Sequence, residues 1–197
     1  MQTFPTSIYV PANWVMPLDW DEIFGNTQRI EVDIGCGKGS FLLWAARTRA
    51  EMNFVGVDRL VRRLRKIDRK IQRLSLPNVR LLRVEASYFV GFLVPDLSVS
   101  VYHVYFPDPW PKRRHRQRRL ISAGFLSNLH RTLCEGGAVN CATDSRDYYE
   151  WIERQFHQLE SFRENEPEIL PDEACTDFER EFSAAGKGVY RCRWVKE

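Results

Sequence analysis

Ile30-Glu31-Val32-Asp33-Ile34-Gly35-Cys36-Gly37-Lys38-Gly39 is the stretch on which the fold turns. Ile30 to Ile34 is a short run with β-branched residues at alternate positions, which reads as a strand. Three glycines follow at alternate positions, and Phe41 to Arg49 then reads as a helix. A strand passing through glycines into a helix opens an α/β sheet, because the missing Cβ atoms permit a tight turn and let the backbone come close to a ligand.

Working outward, segments of strand and helix character keep alternating. Asn53 to Asp58 is the second strand. Leu60, Leu64, Ile67, Ile71 and Leu74 recur at helical spacing with basic residues between them, ahead of Pro77. Asn78 to Val84 is the third strand. A short helix from Ser87 to Leu93 leads to the strand Ser98 to Phe106, which Pro107 ends. A basic loop follows. Ile121, Phe125, Leu129 and Leu133, spaced by four, mark an amphipathic helix, and Glu135-Gly136-Gly137 is expected to stop it before the strand Ala138 to Thr143. Tyr148, Ile152, Phe156 and Leu159 mark another helix. Beyond residue 160 the pattern predicts one helix near Phe178 to Ala185 and a last strand, Val189 to Val195. Strands separated by helices imply a mostly parallel sheet covered on both faces, with ligands at the carboxyl ends of the strands where the strand order reverses.

At 197 residues, 44% apolar and 28% charged, the chain suits one folded domain, residues 29–197, preceded by a short N-terminal segment, residues 1–28. The longest apolar stretch, Phe41 to Ala46, is too short to cross a bilayer, and Met1 to Trp14 lacks the pattern of an export signal, so a cytoplasmic protein without membrane partners is expected. The five cysteines form no Cys-x-x-Cys pair, so neither a metal site nor a disulfide framework is expected. The net charge of +3 hides an uneven distribution. Residues 59–73 hold eight Lys or Arg and residues 112–119 hold six, whereas residues 160–181 are strongly acidic.

Asp58 ends the second strand about 20 residues after the glycines, where a carboxylate accepts hydrogen bonds from ribose hydroxyls. Dinucleotide and S-adenosylmethionine enzymes share that feature, and two observations separate them. Ser40 stands where a dinucleotide fingerprint needs its third glycine. Asp33, two residues before Gly35, would repel a pyrophosphate but attract the ammonium of a methionine moiety. Glu85, after the third strand, can accept from an adenine amino group. Asp33, Gly35, Gly37, Gly39, Asp58 and Glu85 are therefore the candidate cofactor-binding residues. Cys36 reads as a small residue filling the turn, since no histidine is near it in sequence.

The fourth strand runs into Phe106-Pro107-Asp108-Pro109-Trp110-Pro111-Lys112, where three prolines stiffen the chain around one carboxylate and a cationic run begins. Here the chain resembles the bacterial tRNA (guanine-N7)-methyltransferases, from about Ile30 to Trp194, and the Phe-Pro-Asp-Pro-Trp-Pro-Lys segment is specific to that family. Asp33 to Gly39, Ala142-Thr143-Asp144, Thr176-Asp177-Phe178-Glu179 and Val189-Tyr190-Arg191 also match. The resemblance implies a Rossmann-like class I methyltransferase with a seven-stranded, mostly parallel sheet and helices on both faces. It further implies S-adenosyl-L-methionine as cofactor, tRNA as partner, and methylation at N7 of a guanine in the variable loop. Asp33, Asp58, Glu85 and Asp108 would contact the cofactor, and Lys112, Asp144, Thr176 and Glu179 the substrate guanine region. The chain departs from the family in having Asp33 and Asp58 for Glu, Glu85 for Asp, and Ala142 for Lys.

Guanine N7 carries a lone pair at neutral pH, so positioning rather than deprotonation should dominate catalysis. Asp108 is the candidate catalytic residue, either accepting from the guanine edge or stabilising the positive charge that methylation creates in the ring. The two basic clusters form the expected electrostatic footprint for RNA. Trp110 either stacks on a base or packs over the sheet. Thr176 and Glu179 either reach the target guanine or form a capping box for the following helix. Competing readings are a methyltransferase for another substrate and a non-catalytic RNA-binding module that retains the fold. A monomer or a homodimer is expected.

Overall fold

The computed structural model describes residues 6–176, 179, 180, 182 and 188–197. In chain order the elements are β1 (Ile8–Tyr9), α1 (Trp20–Phe24), β2 (Ile30–Ile34), α2 (Ser40–Thr48), β3 (Asn53–Asp58), α3 (Val61–Leu74), β4 (Val79–Arg83) and α4 (Ala86–Tyr88). A π-helical turn (Phe89–Leu93) precedes β5 (Val99–Tyr105), and a 3-10 turn (Arg113–Arg118) precedes α5 (Ala123–Thr132). The chain closes with β6 (Leu133–Thr143), α6 (Arg146–His157), β7 (Phe162–Asn165) and β8 (Tyr190–Lys196).

One sheet runs in the order β1-β4-β3-β2-β5-β6-β8-β7. Strands β1 to β6 pair in parallel, and β8 and β7 join antiparallel at one edge. Every residue of β2 and β3 is buried, as expected for strands covered on both faces. On one face Phe41, Leu42 and Ala45 of α2 pack with Leu64, Ile67 and Ile71 of α3. The other face carries α1, α5 and α6 through residues such as Trp20, Phe125 and Ile152. Gly56 in β3 makes the first of these layers possible: a Cβ there would lie 2.6 Å from Leu42 and 2.9 Å from Leu81. No helix among the described residues is long and apolar enough to cross a membrane.

The sheet has eight strands where seven were expected. β1 has two residues, too few to show alternation, and β7 reads Phe-Arg-Glu-Asn with only Phe162 buried, so it is hidden inside the acidic stretch. The expected helix stop at Gly136-Gly137 is also corrected. The helix ends at Thr132, β6 begins at Leu133, and the glycines sit inside the strand where its register against β5 shifts. A β-bulge needs such residues, and a Cβ on Gly137 would lie 2.8 Å from the Cys134 carbonyl oxygen. The expected stripe on α3 is shorter than its sequence pattern, because Leu60 precedes the helix and Leu60 and Leu74 are both exposed. The helix expected over Phe178 to Ala185 lies largely outside the described residues.

Candidate functional site

The strand order reverses between β2 and β5, so the switch point lies there. Read across the carboxyl edge of the sheet, the residues following or ending β4, β3, β2, β5 and β6 include Glu85, Asp58, Asp33, Asp108 and Asp144. Five carboxylates drawn from most of the length of the chain thus share one edge.

Gly35, Gly37 and Gly39 all have positive φ, at 76°, 57° and 78°. The turn is held against β3 by the Gly35 and Cys36 amides, which donate to the Val57 carbonyl at 2.8 and 3.0 Å, and is closed on itself by the Gly39 amide, which donates to the Cys36 carbonyl at 2.8 Å. Those three amides are therefore committed within the fold. The space beside Gly35 is open, with no atom within 4 Å of the point a Cβ would occupy, whereas a Cβ on Gly39 would meet Ile67 at 2.9 Å. Gly39 thus has a packing reason of its own, the close approach of α2 to α3.

Asp33 is 5% exposed and has no hydrogen-bond partner among the described residues. Burial first, and then the neighbouring Asp58 charge, push its carboxyl up to about 7. The same two carboxylates, added to burial, push the Cys36 thiol well up, which makes it a poor nucleophile. Asp58 accepts from its own turn, the Leu60 amide at 2.7 Å, and from Arg63 at 3.3 Å. Glu85 is exposed and caps α4, accepting from the Tyr88 amide at 2.9 Å through one oxygen.

The segment after β5 is backbone-strained at both ends. Phe106 and Trp110, neither a glycine, have φ of 52° and 41°, and Asp108 lies exposed between them. The Phe106 amide donates to the Ala142 carbonyl at 2.8 Å, which continues the sheet up to the turn. Past the exposed Lys112, the basic run folds into the 3-10 turn. Its members do not all face solvent. Arg116 pairs with Asp147 at 2.7 Å, and Arg118 lies over the Trp110 ring at 5.1 Å. The Arg119 side chain is wholly buried over Tyr148 and Trp151, where it donates to the Pro109 carbonyl at 2.9 Å and pairs with Asp147. That contact holds the Asp147 carboxyl below the usual range.

The tail reaches the same edge. Phe182 lies 5.8 Å from Phe106, ring to ring, and Arg191, which faces Ala142 across the β6–β8 pair, is ion-paired with Glu179. Thr176 accepts from the Glu179 amide at 3.1 Å, which is the first half of a capping box. The second half is absent among the described residues: one Glu179 oxygen goes to Arg191, and the other, Oε2, is buried without a hydrogen-bond partner among them. Asp144 is half-buried at the end of β6. Sequence reasoning assigned no role to Arg191 and counted Arg119 among surface cations. A run this rich in arginine carries no signal that one of them is internal.

Residues 27–192 match a family described as a putative methyltransferase. The 16S rRNA methyltransferase KamB superposes with a TM-score of 0.68 at 17% identity, over 90% of this chain and 92% of that one. TrmN from Thermus thermophilus gives 0.61 at 17% identity, over 86% and 44%. At such identities the likeness concerns the fold, and together with the strand order and the glycine turn it defines the Rossmann-like fold of class I methyltransferases. Proteins named tRNA (guanine-N(7)-)-methyltransferase are similar in sequence. That of Thermotoga maritima is 38% identical over 181 residues (88% of this chain, 56% of its own), and that of Geobacter metallireducens is 39% identical over 138 residues (70% and 65%). That of Geobacillus kaustophilus is 34% identical over 182 residues, covering 90% of this chain and 83% of its own length. The chain belongs to the bacterial tRNA (guanine-N7)-methyltransferase family. It spans less than two thirds of the Thermotoga and Geobacter relatives.

Proposed function

We propose that this chain transfers the methyl group of S-adenosyl-L-methionine to N7 of a guanine in the tRNA variable loop, in the cytoplasm. The observation that carries the reading is Asp108, a carboxylate set at the switch point on a proline-stiffened, strained turn that leads directly into a run of cations. The names of the relatives support the choice of substrate.

The residues present suit the cofactor. Asp33, a buried carboxyl without a partner among the described residues, is the counter-charge for an ammonium, and the open space beside Gly35 admits a close-lying ligand. Asp58 would accept from ribose hydroxyls in exchange for its long contact with Arg63. Glu85 keeps one oxygen for an adenine amino group while the other caps α4. Gly37 and Gly39 line the same turn. The cofactor, when bound, supplies an electrophilic methyl group on a sulfonium.

What the chain contributes is placement. Guanine N7 needs no side chain to remove a proton, so Asp108 acts by accepting from the guanine edge or by stabilising the charge the ring acquires. Lys112, exposed just past the turn, donates in this reading to guanine O6 or a phosphate. Asp144, Thr176 and Glu179 close the substrate side, with Glu179 Oε2, which has no hydrogen-bond partner among the described residues, as an acceptor for guanine donors. Holding two reactants in line in this way supplies about 7–11 kcal/mol in favourable systems. Incubation with bulk tRNA and methyl-labelled cofactor, followed by nucleoside mass spectrometry, tests the reading. Label in 7-methylguanosine is expected, and label confined to another nucleoside or to protein would overturn it.

A further inference from the structure

We propose that Arg119 is the positioning residue of this site, acting through the Pro109 carbonyl to hold Asp108 in place. The proposal rests on the assignment of Asp108 to the reacting guanine. Its ground is the contrast between the loop and its anchor. Pro107, Pro109 and Pro111 have no N–H to donate, and two of the five residues from Phe106 to Trp110 carry positive φ without being glycine. Among the described residues, the segment 107–111 makes a single hydrogen bond to another part of the chain, from Arg119 Nε to the Pro109 carbonyl oxygen at 2.9 Å. A strained backbone persists only where its surroundings over-determine it; beside the ring contacts of Trp110 with Arg118 and His115, the polar restraint on 107–111 among the described residues is that guanidinium.

Arg119 is in turn fixed from several sides. Its guanidinium carbon lies 4.9 Å from the Tyr148 ring centre and 5.3 Å from that of Trp151, and Nη2 donates to Asp147. Two residues on, Ile121 is pinned to the same helix, donating its amide to the Tyr148 hydroxyl at 3.3 Å and accepting from Trp151 Nε1 at 2.7 Å. The chain therefore connects the rigid core of α6 to the carbonyl immediately after Asp108 through one planar, forked group. Only arginine does this: a lysine ammonium is a point charge that satisfies Asp147 or Pro109 but does not present two fixed donors in those two directions. The remaining nitrogen, Nη1, is buried without a partner among the described residues, which marks the position as held for geometry at some cost in desolvation.

A buried cation that merely plugs the gap between α6 and the loop would be read from stability alone, so the test separates the two roles. Arg119→Lys, Asp147→Asn, Asp108→Asn and the double variant Arg119→Lys with Asp108→Asn are compared for single-turnover methylation of tRNA, cofactor and tRNA affinity, melting temperature, and hydrogen exchange of the peptide spanning residues 106–112. Misplacement by about 1 Å costs on the order of 100-fold in rate, so Arg119→Lys should lower the rate by about that factor while both affinities stay within about threefold. Exchange at the Phe106 amide, which donates to the Ala142 carbonyl at the start of the loop, should accelerate. Asp147→Asn should lower the melting temperature comparably without a comparable loss of rate. The double variant should be no slower than Asp108→Asn, since both changes remove one effect. A rate for Arg119→Lys that falls only in step with melting temperature, or losses that multiply in the double variant, overturns the proposal. If Asp108→Asn is fully active, the assignment of Asp108 fails by itself; the exchange data then still show whether Arg119 orders the loop, and unchanged exchange overturns that as well.

Discussion

Asp33→Asn probes the carboxyl on which cofactor recognition depends. In the folded chain that group is raised from 3.8 to about 7, by burial and then by the charge of Asp58. If only the ionised form binds the cofactor ammonium, apparent affinity scales with the ionised fraction, roughly 3% at pH 5.5 and 50% at pH 7. Affinity should therefore rise about 15-fold across that window, in which an α-amino group with a pKa of roughly 7.7–8.0 stays mostly charged. Binding at pH 5.5 should release close to one proton, readable by calorimetry in two buffers of different ionisation enthalpy. In Asp33→Asn the affinity should be nearly independent of pH. Stability moves in the opposite sense. A folded pKa above the unfolded one favours the fold below about pH 4, and that contribution is lost as pH rises through about 7. Three units correspond to roughly 4 kcal/mol at most, so Asp33→Asn should stabilise the cofactor-free protein above pH 7 and leave it unchanged near pH 4. A wild-type affinity that changes less than about threefold from pH 5.5 to 7, or the same dependence retained in Asp33→Asn, would refute the reasoning.

Asp108→Ala should lower the turnover rate while changing tRNA affinity little, because its interactions belong to the reacting geometry; equal losses in both would assign it to binding alone. Arg113 and Arg114 are exposed, and neutralising both should reduce the slope of log affinity against log salt by roughly 1.5–2, as measured by titration of tRNA binding at several salt concentrations. Gly56→Ala should destabilise the fold by about 1–3 kcal/mol in urea unfolding, since its Cβ would lie 2.6 Å from Leu42. In the double variant Thr176→Ala with Glu179→Ala, a lost cap costs about 1 kcal/mol; a collapse of methyl transfer well beyond that loss of stability supports a substrate role, and full activity ends it.

Periodicity and punctuation in the sequence were enough to place the central strands. Asn53–Asp58 agrees residue for residue, and Ile30–Ile34 leads into the glycine turn as expected, because short β-branched and apolar runs bounded by turn residues mark strands, although the fold buries Glu31 and Asp33 within β2 as well. The same local rules located the acids at the strand ends and the stiffened carboxylate at Asp108. They failed where local pattern and tertiary pairing disagree. Gly136 and Gly137 look like a helix stop, yet they form a bulge because β6 must stay in register with β5 after its shift. β1 and β7 are strands only because a neighbouring edge supplies their hydrogen bonds.

For the site, residue types and spacing determined which groups can serve a cationic cofactor and a guanine. Only the folded chain decides which of those groups are available. Packing takes the Gly35, Cys36 and Gly39 amides into the turn, withholds partners from Asp33 and one Glu179 oxygen among the described residues, and turns Arg119 inward to the Pro109 carbonyl while its neighbours Arg113 and Arg114 remain exposed. Burial and hydrogen bonding depend on contacts between residues distant in sequence. A string of like charges or alternating glycines is therefore silent about which member the fold will use.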